Sequence, residues 1–268
     1  MDLYTDEKPI VFFDIDNTLY SASTKIAEAM AKRIHGLSTL DPPSPRRPSS
    51  ESLPHTEYFM SLGHNHEEAA DLHLQYYTKY GLALRGLTLH DNVDPLDFDA
   101  KCDGALPLDE MLKPNPALRQ LLQDIDRSKV RVWALTNAYR THAARVLKIL
   151  NLEDEFEGVI YCDYAEPGFY CKPEPEYYHL ALRKAGVSDP AKVSFVDDNR
   201  GNIEGARRLG WGRCVHFCEF GLETVEGGKV KKLGEAHELE AGLKEDVPVI
   251  GSLQQLREMW PDIFKKQS

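Results

Sequence analysis

Residues 10–20 read Ile-Val-Phe-Phe-Asp-Ile-Asp-Asn-Thr-Leu-Tyr. The apolar run Ile10, Val11, Phe12 and Phe13 has the length and bulk of a strand buried on both faces, and it stops abruptly at Asp14 and Asp16 with one residue between them. In open α/β sheets ligands bind outside the carboxyl ends of the strands, so a carboxylate pair placed there projects into a site rather than into the core. Two acids this close repel each other, and a divalent cation relieves the repulsion. Mg²⁺ suits one or two carboxylates completed by substrate phosphate oxygens and water. A solvated turn built from Asp and Asn has the same appearance, and this stretch alone leaves both readings open.

The 268 residues are 42% hydrophobic and 28% charged, ordinary globular usage for one large or two modest domains. A formal net charge of −11 argues against a broad surface for polymeric nucleic acid, although a small anion needs only a local positive site. The five cysteines, Cys102, Cys162, Cys171, Cys214 and Cys218, contain no C-x-x-C pair and are odd in number, which favours reduced thiols over a disulfide framework. Residues 1–8 lack the charged and apolar regions of a signal peptide, and no apolar run reaches the length of a membrane span. The expected setting is cytoplasmic, or nuclear as well, without membrane insertion.

Apolar spacing predicts an amphipathic helix over 24–35. Four prolines and three serines in residues 41–50 then predict an exposed loop, bounded at about 41–54. Further helices are expected over 67–79, ending near Gly81, and in shorter pieces over 82–89 and 94–101. The span 21–113 is thus expected to be an all-helical module inserted after the first strand and seated over the strand ends. Residues 1–20 and 114–268 would form the core.

From residue 114 strand and helix alternate. Asn115-Pro116 opens a helix over 116–127. A strand over 130–135 ends in Thr136 and Asn137 ahead of a helix over 140–150, where a hydroxyl, an amide and helix N–H groups suit an anion. Asn137 could equally cap that helix. A strand over 158–161 leads to Cys-Lys-Pro-Glu-Pro-Glu at 171–176, with Lys172 held just outside a helix over 174–185. A strand over 193–196 ends in Asp197, Asp198 and Asn199, and a helix runs on to 209. A strand over 213–217 follows, then a charged, glycine-containing stretch, 223–246, expected to be irregular, then a strand over 247–250 and a helix over 253–260. Right-handed crossovers put the carboxyl ends of parallel strands on one edge, so Asp14/Asp16, Thr136/Asn137, Lys172 and Asp197/Asp198 converge. One polar strand end is commonplace; four in order define a site.

In order and spacing these motifs resemble the haloacid dehalogenase superfamily of phosphatases, through D-I-D-N-T, T-N, the lysine of C-K-P and D-D. The resemblance implies a Rossmann-like three-layer α/β core with parallel strand order 3-2-1-4-5 and the helical insertion as a cap. It implies Asp14 as the nucleophile that becomes an aspartyl phosphate and Asp16 as general acid, then base. Thr136 and Asn137 would bind the phosphoryl group, and Lys172 would neutralise charge on it. Mg²⁺ would be held by Asp14, the carbonyl oxygen of Asp16, and Asp198, with Asp197 reaching it directly or through water. The acid at position 16 separates this pattern from the dehalogenases of the superfamily, which lack it.

Three further stretches, 16–26 (D-N-T-L-Y-S-A-S-T-K-I), 76–87 (Y-Y-T-K-Y-G-L-A-L-R-G-L) and 106–114 (L-P-L-D-E-M-L-K-P), resemble the fungal pyrimidine 5'-nucleotidases and their relatives acting on other nucleoside monophosphates and lysophosphatidic acid. That resemblance implies the nucleoside monophosphates UMP and CMP as leading substrates. Within the cap Tyr76, Tyr77 and Arg85 are candidates for the base and sugar, since an aromatic face stacks a base and a guanidinium donates to ring oxygens. Adjacent tyrosines on one helix cannot both face the site. His64 and His66 carry ligand chemistry but sit at a solvated helix start. A phosphorylated-Asp receiver module, or a family member retained only for protein binding, stays open as a non-enzymatic alternative.

Overall fold

The computed structural model describes residues 8–35, 58–235 and 247–266. Its organising strand is β1 (Ile10–Phe13), completely buried, as an unbroken apolar run requires. Successive side chains of a strand point to opposite faces. Accordingly Val11 and Phe13 enter one apolar cluster and Ile10 and Phe12 the other.

Strands β2 (Arg131–Leu135), β3 (Gly158–Ile160), β4 (Val193–Asp197) and β5 (Arg213–Phe217) follow. A last strand, β8 (Val249–Ile250), extends the sheet to six parallel strands in the order β3-β2-β1-β4-β5-β8. Phe13 is in register with Ala134 on one side and Val196 on the other. Asp14, Leu135 and Asp197 therefore emerge at one edge.

Helices α7 (Pro116–Gln123) and α8 (Arg140–Ile149) cover the Phe13 face, through Leu118, Leu122, Val146 and Leu147. Helices α9 (Pro175–Ala185) and α10 (Arg200–Arg208) cover the Phe12 face, through Tyr177, Tyr178, Ile203 and Ala206. Helix α7 stops at Gln123, short of the expected 127, because Asp124 caps it and the chain turns at once into Ile125. The expected terminal helix splits into a 3₁₀ turn, Leu253–Gln255, and α11 (Leu256–Met259).

Between β1 and β2 lie α1 (Ile26–His35), α2 (Tyr58–Ser61), α3 (His66–Tyr80), α4 (Ala83–His90), α5 (Pro95–Lys101) and α6 (Leu108–Met111), with no strand among the described residues. Asn65 and Glu68 close a capping box on α3, and Gly81 ends it in a left-handed conformation, φ 74°. A Cβ at Gly81 would stand 2.5 Å from the Lys172 carbonyl oxygen, so this helix end abuts the lysine loop. The Pro/Ser-rich segment 41–54 lies outside the described residues.

One expectation is corrected. The start of the 223–246 stretch is an antiparallel hairpin, β6 (Glu223–Glu226) and β7 (Lys229–Lys232), joined by Gly227 and Gly228. Two glycines at positive φ satisfy the tight turn that matches strand twist. Strand β6 packs on α1, so the hairpin reaches the helical insertion from the far end of the chain.

Candidate active site

The four strand ends meet as their spacing predicts. Lys172, 1% exposed, donates from Nζ to Asp14 Oδ1 at 2.6 Å, to Asp197 Oδ2 at 2.7 Å and to the Leu135 carbonyl oxygen at 2.8 Å. All three ammonium hydrogens are thereby used. Thr18 donates to the other oxygen of Asp14 at 3.0 Å.

Asn137 works on the lysine loop. Its Oδ1 accepts from the Lys172 backbone N–H at 2.7 Å and its Nδ2 donates to the Lys172 carbonyl at 2.9 Å. The cap position of α8 belongs to Tyr139 instead. Thr136 is buried; its hydroxyl accepts from the Ala138 N–H at 3.0 Å and lies 3.4 Å from Asp16 Oδ2.

Three carboxylates crowd one place. Asp14, Asp197 and Asp198 each offer an oxygen within 4.8 Å of the others. Burial pushes the Asp14 carboxyl up to about 7, Lys172 opposing and Asp197 and Asp16 reinforcing the shift. Burial also drives Asp198 well upward, helped by Asp14, Asp197 and, from the hairpin, Glu226. Hard oxygen donors carrying more negative charge than one ammonium neutralises are the donor set Mg²⁺ takes. Asp197 already accepts from Lys172, from the Asn199 N–H at 2.8 Å and from Asn202 Nδ2 at 3.0 Å, which leaves Asp14 and Asp198 the freer ligands.

Asp16 belongs to a different network. Tyr20 donates to its Oδ1 at 2.8 Å, and His142 Nε2 lies 2.8 Å from the same oxygen. Burial disfavours charge on both partners, yet their attraction prevails: Asp16 is held below the usual carboxylate range and His142 is raised to about 9. Sequence reasoning missed Tyr20 and His142. The available signal was a histidine in the first turn of the helix that follows Thr136-Asn137.

These groups line a cavity of about 220 Å³. Its far wall is apolar, with Ala27, Met30, Ala31 and Ile34 from one face of α1 and Val225 from the hairpin. Of the three insertion candidates only Tyr77 lines it, its hydroxyl accepting from Asn199 Nδ2 at 3.0 Å. Tyr76 turns into the insertion, bonding Asp91 at 2.8 Å and packing on Gly86, as the angle between adjacent helical residues requires. Arg85 is spent on Glu174, in a forked ion pair at 2.9–3.2 Å that ties α4 to the start of α9. His64 packs near Phe59 away from the acidic cluster, and the His66 side chain lies outside the described residues.

The chain is similar to known proteins. The yeast Saccharomyces cerevisiae protein named Phosphate metabolism protein 8 is 34% identical over 220 residues, covering 79% of this chain and 62% of that protein. The Phosphorylated carbohydrates phosphatase of Thermotoga maritima is 31% identical over 124 residues, 45% of this chain and 56% of that one. The chain thus spans about three fifths of the length of these curated relatives. The crystal structure of a hydrolase from Pseudomonas syringae superposes with a TM-score of 0.57 at 18% identity, over 96% of this chain and all of that one, a likeness of fold. The family model described as haloacid dehalogenase-like hydrolase matches residues 9–210, from the first strand through α10 and with all four polar strand ends inside it, and the chain belongs to that family.

Proposed function

We propose that the chain is a Mg²⁺-dependent phosphomonoester hydrolase working through an aspartyl phosphate, with the pyrimidine nucleoside monophosphates UMP and CMP as its substrates. The observation that carries this reading is the convergence of Asp14, Asp16, Thr136 and Lys172 on one cavity whose far wall is apolar and uncharged. On the same reading residues 21–113 act as the cap and 1–20 with 114–268 as the core.

Asp14 attacks phosphorus in line and releases the nucleoside alkoxide. A carboxylate is an accepted nucleophile for splitting a difficult displacement into two. Lys172, fixed by Asp197 and the Leu135 carbonyl, keeps positive charge beside the Asp14 oxygen and the phosphoryl group. The Thr136 hydroxyl holds a phosphoryl oxygen, and Asn137 holds Lys172. Asp16 protonates the leaving alkoxide and then deprotonates the water that cleaves the aspartyl phosphate. Incoming phosphate charge raises the proton affinity of Asp16 against the pull of His142, which suits the acid step. Bound Mg²⁺, held by Asp14 and Asp198 with Asp197 behind them, would draw negative charge from the phosphoryl oxygens.

The apolar face of α1 also suits an acyl chain, so lysophosphatidic acid is the second reading. Phosphate release with Mg²⁺ from UMP, CMP, AMP, GMP, a sugar phosphate and lysophosphatidic acid, beside Asp14→Asn, separates the two. Preference for UMP and CMP, abolished in the variant, is expected. Preference for the lipid reassigns the apolar wall, and no turnover of any substrate by folded protein overturns the enzymatic reading in favour of a phospho-Asp switch or binding protein.

A further inference from the structure

We propose that His142 and Tyr20 are positioning residues that clamp one oxygen of Asp16 and thereby aim the other at the leaving group, an inference that rests on the acid–base role given to Asp16 above. Oδ1 of Asp16 meets Tyr20 Oη and His142 Nε2, each at 2.8 Å. A carboxylate only accepts, so both partners donate. With two donors converging on Oδ1, the proton that Asp16 takes up belongs on Oδ2. That oxygen has one long contact, Thr136 Oγ1 at 3.4 Å, and so faces the residue placed at the phosphoryl group.

Both members of the clamp are buried. His142 stands in the first turn of α8, 5% exposed, and Tyr20 is 7% exposed. Asp103, buried in the segment after α5, lines the same cavity and attracts the imidazole. His142 Nδ1 and Asp103 Oδ1 are both buried without a hydrogen-bond partner. The histidine's one hydrogen bond is spent on the acid beside the phosphate site, and Asp103 acts on it from the helical insertion through charge alone.

General acid–base catalysis contributes about 10²–10⁴-fold, and it matters when the leaving group is a poor one such as an alkoxide. Para-nitrophenolate leaves without a proton. The test compares UMP with para-nitrophenyl phosphate in wild type, Asp16→Asn, His142→Met and His142→Gln. Met and Gln are close in length, but only Gln keeps a donor. His142→Met is expected to lower kcat for UMP about 10²-fold, with KM little changed, and to lower the UMP/para-nitrophenyl phosphate ratio at least tenfold; His142→Gln is expected to recover most of that ratio.

Equal losses on the two substrates, or equal behaviour of Met and Gln, would overturn the clamp. If Asp16→Asn discriminates between leaving groups and His142→Met does not, the clamp alone fails. If Asp16→Asn itself fails to discriminate, the acid–base reading fails. Should His142→Met not fold, Tyr20→Phe, which deletes the other donor to Oδ1, is expected to lower the same ratio, and an unchanged ratio would overturn the proposal.

Discussion

Replacing Lys172 by Met removes the one cation shared by two buried carboxylates while roughly keeping the side chain's volume. The ammonium's bonds of 2.6, 2.7 and 2.8 Å all terminate inside the protein, and the residue is 1% exposed, so neither solvent nor a neighbour replaces it. Removing one partner of a buried ion pair costs about 3–5 kcal/mol, a large part of a typical folding free energy of about 5–15 kcal/mol. At about 2–4 °C per kcal/mol for a chain of this size, the melting temperature should fall by roughly 6–20 °C.

The loss depends on pH in a fixed direction. Burial already pushes Asp14 up to about 7 with Lys172 opposing the shift, so without the lysine it rises further. A carboxyl that binds its proton more tightly folded than unfolded destabilises the fold only where the unfolded form is ionised, above about pH 4. Below about pH 7 Asp14 is protonated in both folded proteins, so the deficit of Lys172→Met is level there and grows as pH rises above 7. Urea unfolding at pH 5 and pH 8 in the presence of chelator measures it, and added Mg²⁺ should restore part of the stability at pH 8. A deficit below about 1 kcal/mol at pH 8, or one independent of pH, would refute the assignment of Lys172 as the counter-charge of Asp14 and Asp197.

Mg²⁺ at about a hundred times its dissociation constant should stabilise the wild type by about 2.7 kcal/mol, read as a thermal shift, and Asp198→Asn should lose most of that shift. Arg85→Ala should cost about 2 kcal/mol in urea unfolding, and adding Glu174→Ala should cost little more, because each single change already breaks the pair. His142, raised from 6.5 to about 9 chiefly by Asp16 against the cost of burial, contributes stability that is complete below pH 6.5 and lost as pH rises through 9; it is on the order of 3 kcal/mol, and unfolding of His142→Met should lack that alkaline slope. Gly227→Val places a Cβ about 3.1–3.2 Å from Leu74 and Tyr77 at a φ of +53°, so KM for UMP should rise about tenfold, measured by initial rates.

Much of the fold was legible because the signals were local. The Ile10–Phe13 run, the Asn115-Pro116 helix start and the repeated endings in acid or hydroxyl are each contained within a few residues. The four strand ends then converge by a topological rule rather than by any pairwise signal. Tyr76 and Tyr77 were legible as a pair and not individually, because their orientation depends on how α3 packs on α4. Arg85 and Glu174 stand 89 positions apart, and His142 and Asp16 126 positions apart, so no local pattern joins them. The hairpin was announced by Gly227-Gly228 between alternating valines, Val225 and Val230, but its density of charge suggested a loop. Tertiary burial against α1 supplied what its composition lacked.

The hairpin has a consequence for the shape of the cavity. The family match ends at residue 210, whereas Val225, Gly227 and Gly228, which wall the cavity, come after it. Asp14, Thr136, Lys172 and Asp198 all lie before that limit. Part of the cavity wall thus lies beyond the stretch shared with the family, facing the α1 side chains and Tyr77 that lie within it, so a change in the two-glycine tip of the 223–232 ribbon should reshape the cavity while leaving the polar strand ends untouched.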